Sequence, residues 1–597
     1  MSMSRKTLIL LVLVFNLFFA GSACPSGFSV PGGTLPPGSL KEGAKGVAYT
    51  VVKGNEVVSF PVTVLSVLPS ARSPRNLILV RASGPVIEHT GGIAAGMSGS
   101  PVFIEGKLIG AIGYGWSFSE HQMGLVTPIE DMVEIWSWPD RVPSLNPPEL
   151  KLEDPSSGDV RLSATVSVHQ PGTETGKEAK ELSAPLIGSG YSPRSAKRIE
   201  EMMGHPVILL PGGGGDLSLP VEYEPVLRPG EAVSVLVAWG DVSLAATGTL
   251  TAISKDGRFL AFAHPFANRG AVAFPLARAW IHQVVPSLDT PFKLGTPTSI
   301  VGIVTQDRPQ AIGGFTGRFA PVMDISLNFR DVDSGKETFK RFKTASDPFM
   351  MTKVIPEMVT GLVDNVWGRI GEGSAKISLK IEGGGLVEGW QRTNMFFSTT
   401  DLAKSMISEF TDLVNAVSLN PFFEITPFGV HIDIEATADP RVVLIEDVSL
   451  SRNMVPPGGS FDVDITLRPY RKEPVVHKMT LNAPGDAQGI CEVVVRGGGI
   501  EEPDQGSILM GWRTIRSLDE LLKEFSAMET NDEVVAEVRS FGPLREDPSS
   551  LEAEEESQRK LRSQIKEEKI REGSFKSYRS NYYVDGLLRR MIRVVPE

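Results

Sequence analysis

The chain has 597 residues, enough for about three or four domains, and carries a net charge of −12. Its pI of about 5.4 excludes a nucleic-acid binder that works through a basic face. Sixty glycines and 44 prolines, with few long helical patterns, predict a mainly β chain of short strands and turns.

Residues 1–24 carry Arg5 and Lys6, an apolar run over 8–20 and the small residues Gly21-Ser22-Ala23. The run is too short for a bilayer span of about 20 residues, and Asn16 interrupts it, so it reads as a secretory signal peptide. Export follows as the expectation, to a periplasm, a cell envelope or the medium. Cys24 behind the small residues is a candidate for acylation and so for membrane attachment, although Gly21 stands where such sites usually have leucine. Once Cys24 is removed or acylated only Cys491 remains, which excludes an internal disulfide even in an oxidising compartment.

A Pro/Gly linker leads into 36–138, where strand-like runs fall at 46–52, 56–68, 76–81, 99–104, 107–115 and 123–129. Six short antiparallel strands suit a small closed barrel, which removes exposed edges. A connector or insert over 139–231 holds a helix at 194–203, stopped by Gly204 and Pro206, and a flexible loop at 212–215. Strands return over 232–390, at 233–238, 246–253, 259–263, 299–305 and 322–329, as material for a second barrel. In the 391–440 region a helix is expected at 400–417, where Leu402, Ile407, Phe410 and Leu413 recur at near-helical spacing, followed by a strand at 431–436. The 441–500 block alternates through 442–450, 460–467 and 475–482 around a Pro456-Pro457-Gly458-Gly459 turn, a pattern for an immunoglobulin-like β-sandwich. The last region, 501–597, is charge-dense over 547–571 and reads there as a solvated helix or linker, with Tyr582-Tyr583-Val584 as a closing strand.

Chemistry concentrates at Gly96-Met97-Ser98-Gly99-Ser100-Pro101. A Gly/Ser-rich turn by itself is usually a tight connection. Here a hairpin follows at once, Val102-Phe103-Ile104, the turn Glu105-Gly106, then 107–113. Glycines that take φ > 0 can turn backbone N–H groups toward one point, where they would hold a tetrahedral oxyanion. Ser98 is therefore the candidate nucleophile, with the N–H groups of Gly96 and Ser98 as oxyanion donors; Ser100 is the competing serine, placed by this register under the loop.

A serine hydroxyl needs a base. Of eight histidines, His264 ends a strand of small and apolar residues and is stopped there by Pro265, a position where a scaffold can hold one rotamer. His205-Pro206 looks like a helix stop and is the runner-up, and His121 sits in a polar loop as a rim candidate.

The run from Thr90 to Pro101, with Gly106-Lys107-Leu108-Ile109-Gly110-Ala111 behind it, resembles the nucleophile region of the SpoIVB serine peptidases. That family also has a Gly-Thr-Leu-Thr strand, a short turn and a strand ending in Gly-His, with the histidine as base. Gly248-Thr249-Leu250-Thr251, Lys255-Asp256-Gly257 and Ala261 to His264 are similar, with Ala263 in place of the glycine. The resemblance implies a mainly β fold with a trypsin-like pair of six-stranded β-barrels, here in permuted order because the serine half precedes the histidine half. To this the sequence adds the C-terminal immunoglobulin-like sandwich and a charged helical tail. The family's Asp-Pro upstream of the nucleophile is replaced by Ser83-Gly84-Pro85, so no acidic third member carries over. Asp307, Asp289 and Glu88 are the candidates that remain, and a dyad without a carboxylate is the other outcome.

The leading expectation is an exported serine endopeptidase acting on protein or peptide substrates, without cofactor or metal and without nucleic acid. A non-catalytic cell-envelope scaffold or binding protein on a peptidase fold stays open beside it. So does an enzyme that cuts its own chain.

Overall fold

The computed structural model describes residues 30, 32–69, 76–140, 179–211, 219–383, 390–422, 428–500, 515–540 and 562–595. Residues 1–24 with the expected signal peptide and Cys24, the expected loop at 212–215 and the charged residues 547–561 lie outside them.

The first barrel is built from β1 (Lys45–Val51), β2 (Val57–Pro69), β3 (Asn76–Ala82), β4 (Pro101–Ile104), β5 (Lys107–Gly115) and β6 (Met123–Pro128). Pairings in the order β4-β1-β2-β3-β6-β5, with β5 returning to β4, close it into a ring. Side chains of a strand alternate between faces. Phe60, Val62 and Val64 of β2 thus point inward with Ile78 and Val80 of β3 and fill the barrel. Strand β4 begins at Pro101 and not at 99, because Gly99 turns with φ +88°. A Cβ on Gly99 would sit 2.0 Å from the Thr249 carbonyl oxygen.

Two short strands follow, β7 (Lys180–Glu181), which adds to the open edge of β5, and β8 (Leu186–Ser189), then the helix Pro193–Met203 and β9 (Val207–Leu209). The second barrel comprises β10 (Ala232–Gly240), β11 (Ser243–Ile253), β12 (Arg258–Ala261), β13 (Gly270–Val285), β14 (Phe292–Arg308) and β15 (Ala311–Thr316). It too closes, through β10-β13-β14-β15-β12-β11 and back to β10. Strands β13 and β15 lie where the sequence reading placed none. Pro275 interrupts one, and Gly313-Gly314 reads as a breaker in the other. The glycines instead let strands approach: a Cβ on Gly314 would lie 1.8 Å from the Ile303 carbonyl oxygen.

Strand β16 (Val322–Asp331) leaves the barrel. With β17 (Glu337–Ala345), β18 (Gly373–Gly383), β19 (Trp390–Ser398) and β20 (Phe428–Thr437) it extends the sheet outward from β10, β20 running parallel to β16. Helices Pro193–Met203, Ile355–Trp367 and Leu402–Ser418 share one apolar core with this extension and the second barrel. The helix Ile355–Trp367 escapes sequence periodicity because it is buried almost all round. Arg194 ties the three helices together, donating to Asp364 at 2.6 Å and to Asp401 at 3.0 Å.

The C-terminal part is a sandwich of two sheets. One pairs β21 (Val442–Leu450) with β23 (Ser460–Pro469), β24 (Val475–Asn482) and β28 (Tyr583–Asp585). The other pairs β22 (Met454–Val455), β25 (Gly489–Gly497), β26 (Glu533–Ser540), β27 (Phe575–Arg579) and β29 (Leu587–Val594). Val443, Phe461, Val463, Val493, Val534, Val584 and Ile592 form its core. Four strands from the region beyond 500 therefore enter the sandwich, where the sequence offered one. Strands β27 and β29 carry Lys576, Arg579, Arg589, Arg590 and Arg593 among their apolar residues, so charge density concealed them. Among the described residues, no helix is long and apolar enough to cross a membrane.

Candidate active site

The Gly96–Pro101 loop is braced from the second barrel. Thr249 N–H donates to the Ser98 carbonyl at 2.8 Å. The hydroxyls of Thr249 and Thr251 donate to the carbonyls of Gly96 and Gly99 at 2.9 and 2.8 Å. From its own barrel, Gly99 N–H donates to Ile112 and Ile112 N–H to Ser100, at 2.7 and 3.1 Å. A turn held from both sides fixes the serine backbone in one conformation, as a preorganised site requires.

His264 reaches the same place from β12. That strand stops at Ala261 because Phe262 and Ala263 both adopt positive φ, +68° and +60°. Each such L-residue costs roughly 1–2 kcal/mol. Gly248 opposite makes room, since a Cβ there would lie 2.4 Å from the Phe262 ring. The resembling family's glycine before the histidine is explained by Ala263, which holds the conformation glycine adopts freely. Ala263→Gly is expected to raise stability by about 0.5–1 kcal/mol in urea denaturation, the relief of left-handed strain outweighing the added chain entropy.

Beyond His264 the chain is pinned by Asp307. Its buried carboxyl accepts from the N–H groups of Phe266, Ala267 and Arg269 at 2.7, 2.9 and 3.0 Å. Burial pushes this carboxyl up, and the three donors pull it back. Asp307 orients the loop and not the imidazole: its acceptor bonds among the described residues go to backbone N–H groups and not to His264. The loop needed an acceptor for three N–H groups that strand pairing leaves behind. His264 Nδ1 is held instead by the Pro265 carbonyl at 2.6 Å. Because a carbonyl only accepts, Nδ1 carries the proton and Nε2 is left with the lone pair.

Ser98 and His264 line one small cavity with Ser183, Ala184, Leu186, His205, Ala246, Thr247, Phe262 and Phe266. Its volume is about 10 Å³, the lower limit for one water molecule. The Ser98 Oγ is buried and has no hydrogen-bond partner among the described residues. Burial lowers the His264 imidazole to about 4, against the raising effect of the Pro265 carbonyl, so the ring is neutral at pH 7. His205 forms another wall; its Nε2 meets the Phe266 carbonyl at 2.6 Å and burial lowers its pKa. It faces the same cavity but spends that nitrogen on the backbone. Ser100 is also buried without a partner, yet does not line the cavity.

The remaining sequence candidates lie elsewhere. His121 packs over Gly92, its carbonyl accepting from Ile93 N–H at 2.6 Å. Glu88 is exposed on the helix Pro85–Thr90, and Asp289 lies on the rim of a larger cleft. None of the three contacts His264 through a hydrogen bond among the described residues.

Of the two expected oxyanion donors, the Gly96 N–H is engaged by a carbonyl of the chain itself, that of Leu182, at 3.0 Å. The Ser98 N–H has no acceptor among the described residues. The cleft of about 690 Å³ beside this contact is lined by Trp116, Phe118, residues 179–183, His205, Asp289 and Phe292, among others. Nothing in the composition of Lys180-Glu181-Leu182-Ser183 marks it as a neighbour of the site; only chain tracing brings it there.

Sequence reasoning also missed Lys293. It is fully buried, donates to the hydroxyls of Thr50 and Thr249 at 2.8 and 3.0 Å, and lays its stem beneath Gly96. Burial brings its amine down to about 7. The unfolded chain holds this proton up to 10.5, so it binds more protons than the folded one between those values and stability rises with pH there. Lys293→Met is expected to remove that rise, read as the urea midpoint at pH 7 and pH 9.5.

Among the described residues no three His, Cys, Asp or Glu side chains gather to hold a metal. Residues 37–133, which contain the Ser98 loop and the first barrel, match the SpoIVB peptidase S55 family. No curated protein and no solved structure matches the chain. It is thus the barrel bearing Ser98 that is similar to the SpoIVB peptidase S55 family.

Proposed function

We propose that this protein is an exported serine endopeptidase in which Ser98 is the nucleophile and His264 the general base. The observation that carries the reading is the shared cavity: Ser98 and His264 come from different barrels and line one small space. A peptidase family implies a protein substrate, and what the two side chains add is a division of labour. His264 Nε2, freed by the Nδ1–H bond to Pro265, takes the Ser98 proton as Oγ attacks the substrate carbonyl, and returns it to the leaving amine. The backbone N–H groups of Gly96 and Ser98 stabilise the oxyanion, each worth roughly 3–4 kcal/mol in such sites. That Gly96 N–H already binds a carbonyl oxygen supports its aim. The Pro265 carbonyl takes the orienting place that a carboxylate holds in a triad. Export rests on the sequence of residues 1–24.

A biotinylated fluorophosphonate tests the reading. Protein lacking residues 1–24 should acquire the label on Ser98, and Ser98→Ala should acquire none; equal labelling of the mutant would remove Ser98 from the role.

A further inference from the structure

An extended peptide joins a sheet edge through main-chain hydrogen bonds, and a peptidase substrate must do so while presenting its reacting carbonyl to the oxyanion donors. A segment of this chain meets both conditions. Lys180 and Glu181 pair antiparallel with Gly115 and Tyr114 on the edge of β5. Leu182 N–H donates to the Gly113 carbonyl at 2.9 Å, and the Leu182 carbonyl accepts from Gly96 N–H at 3.0 Å. The Leu182 side chain is buried among the apolar residues of the first barrel. Gly115 admits it: a Cβ there would lie 3.0 Å from Leu182 Cδ2. The next residue, Ser183, lines the cavity of Ser98 and His264, with its Oγ 3.5 Å from each ring nitrogen. The Leu182–Ser183 peptide thus runs from the oxyanion donor to the histidine.

We propose that residues 180–184 form a strap that occupies the substrate groove in cis, masking Ser98 and displaying the preferred substrate. That substrate is an extended peptide with a medium-sized aliphatic side chain immediately before the reacting bond. The inference rests on the peptidase reading above. With a substrate in the strap's place, Ser98 Oγ bonds to the aliphatic residue's carbonyl carbon and its proton passes to His264. The C–N bond then breaks and that proton leaves on the new amine. Water, deprotonated by His264, hydrolyses the ester and releases a carboxylate. The same steps on the strap itself would cut between Leu182 and Ser183. Departure of the strap opens the groove onto the cleft walled by Trp116, Phe118 and Phe292.

Two strap variants test this, Leu182→Asp, which places a charge in the apolar pocket, and Glu181→Pro, which disturbs the strap's pairing without touching the barrel core. The second decides if the first does not fold by circular dichroism. Either folded variant should label with fluorophosphonate at least about tenfold faster than wild type, since the rate scales with the unmasked fraction. The peptide aldehyde acetyl-Lys-Glu-Leu-H should protect it, and acetyl-Lys-Glu-Asp-H should not. A wild-type fragment beginning at Ser183, absent from Ser98→Ala, would add support. Equal labelling rates in wild type and strap variants, or protection by both aldehydes alike, would overturn the strap while leaving Ser98 as nucleophile. No labelling of any protein would overturn both.

Discussion

His264→Ala is expected to lower kcat/KM by about ten-thousand-fold on a Lys-Glu-Leu coumarylamide, with KM little changed, because the base acts only as the serine attacks. The residual rate comes from the oxyanion donors and from binding. The structure adds a pH signature. The imidazole is neutral only above its pKa, and burial places that at about 4. Activity should therefore hold as pH falls through 6, where an ordinary histidine is already largely protonated, and decline only near pH 4. Measured as kcat/KM from pH 4 to 8, a midpoint near 6.5 would show that the ring is solvated in the working enzyme and that the closed cavity is not its functional state.

Asp307→Ala should cost more stability than any other single change near the site. It takes the acceptor from three N–H groups, those of Phe266, Ala267 and Arg269, of which Phe266 is buried, Ala267 half-buried and Arg269 exposed. A buried unsatisfied donor costs roughly 1–3 kcal/mol and a solvated one less, so a loss of about 1–4 kcal/mol is expected by urea denaturation. Asp307 is a positioning residue, and a merely structural role would leave the surviving folded enzyme unchanged. Loosening the loop that carries His264 should instead lower kcat more than it raises KM. Asp307→Asn keeps one oxygen acceptor and should recover part of both losses. A variant with unchanged stability and unchanged kcat would show that the three hydrogen bonds hold nothing that matters.

The first barrel was legible because its strand-like runs are separated by turn residues, from Lys45–Val51 to Met123–Pro128. The second was half legible. Its β14 and β15 exchange backbone contacts at glycines, and a glycine read as a breaker in one dimension is a point of close approach in three. The late strands of the sandwich were hidden because β29 interrupts its apolar residues with Arg589, Arg590 and Arg593. At the candidate site, the signals that point to Ser98 and His264 are local, a glycine-flanked turn before a hairpin and a histidine ending a strand at a proline, and the fold places both side chains on one cavity. Contacts made across the barrel junction left no such trace. Asp307 is a candidate partner for the imidazole on sequence, while its partners in the fold are backbone N–H groups with no sequence signature. Lys293 and Leu182 carry no mark of their burial in the sequence, and only the fold buries them.

The pairing of Ser98 with His264 is tested most directly by kcat/KM for Ser98→Ala, His264→Ala and the double variant, on the strap-released background Glu181→Pro. Two residues that work as one nucleophile should not lose rate additively. The double variant is expected to be no slower than the worse single variant, by within about threefold, because the remaining partner has nothing left to do. A double variant whose loss equals the product of the two single losses would contradict the claim that Ser98 and His264 act together.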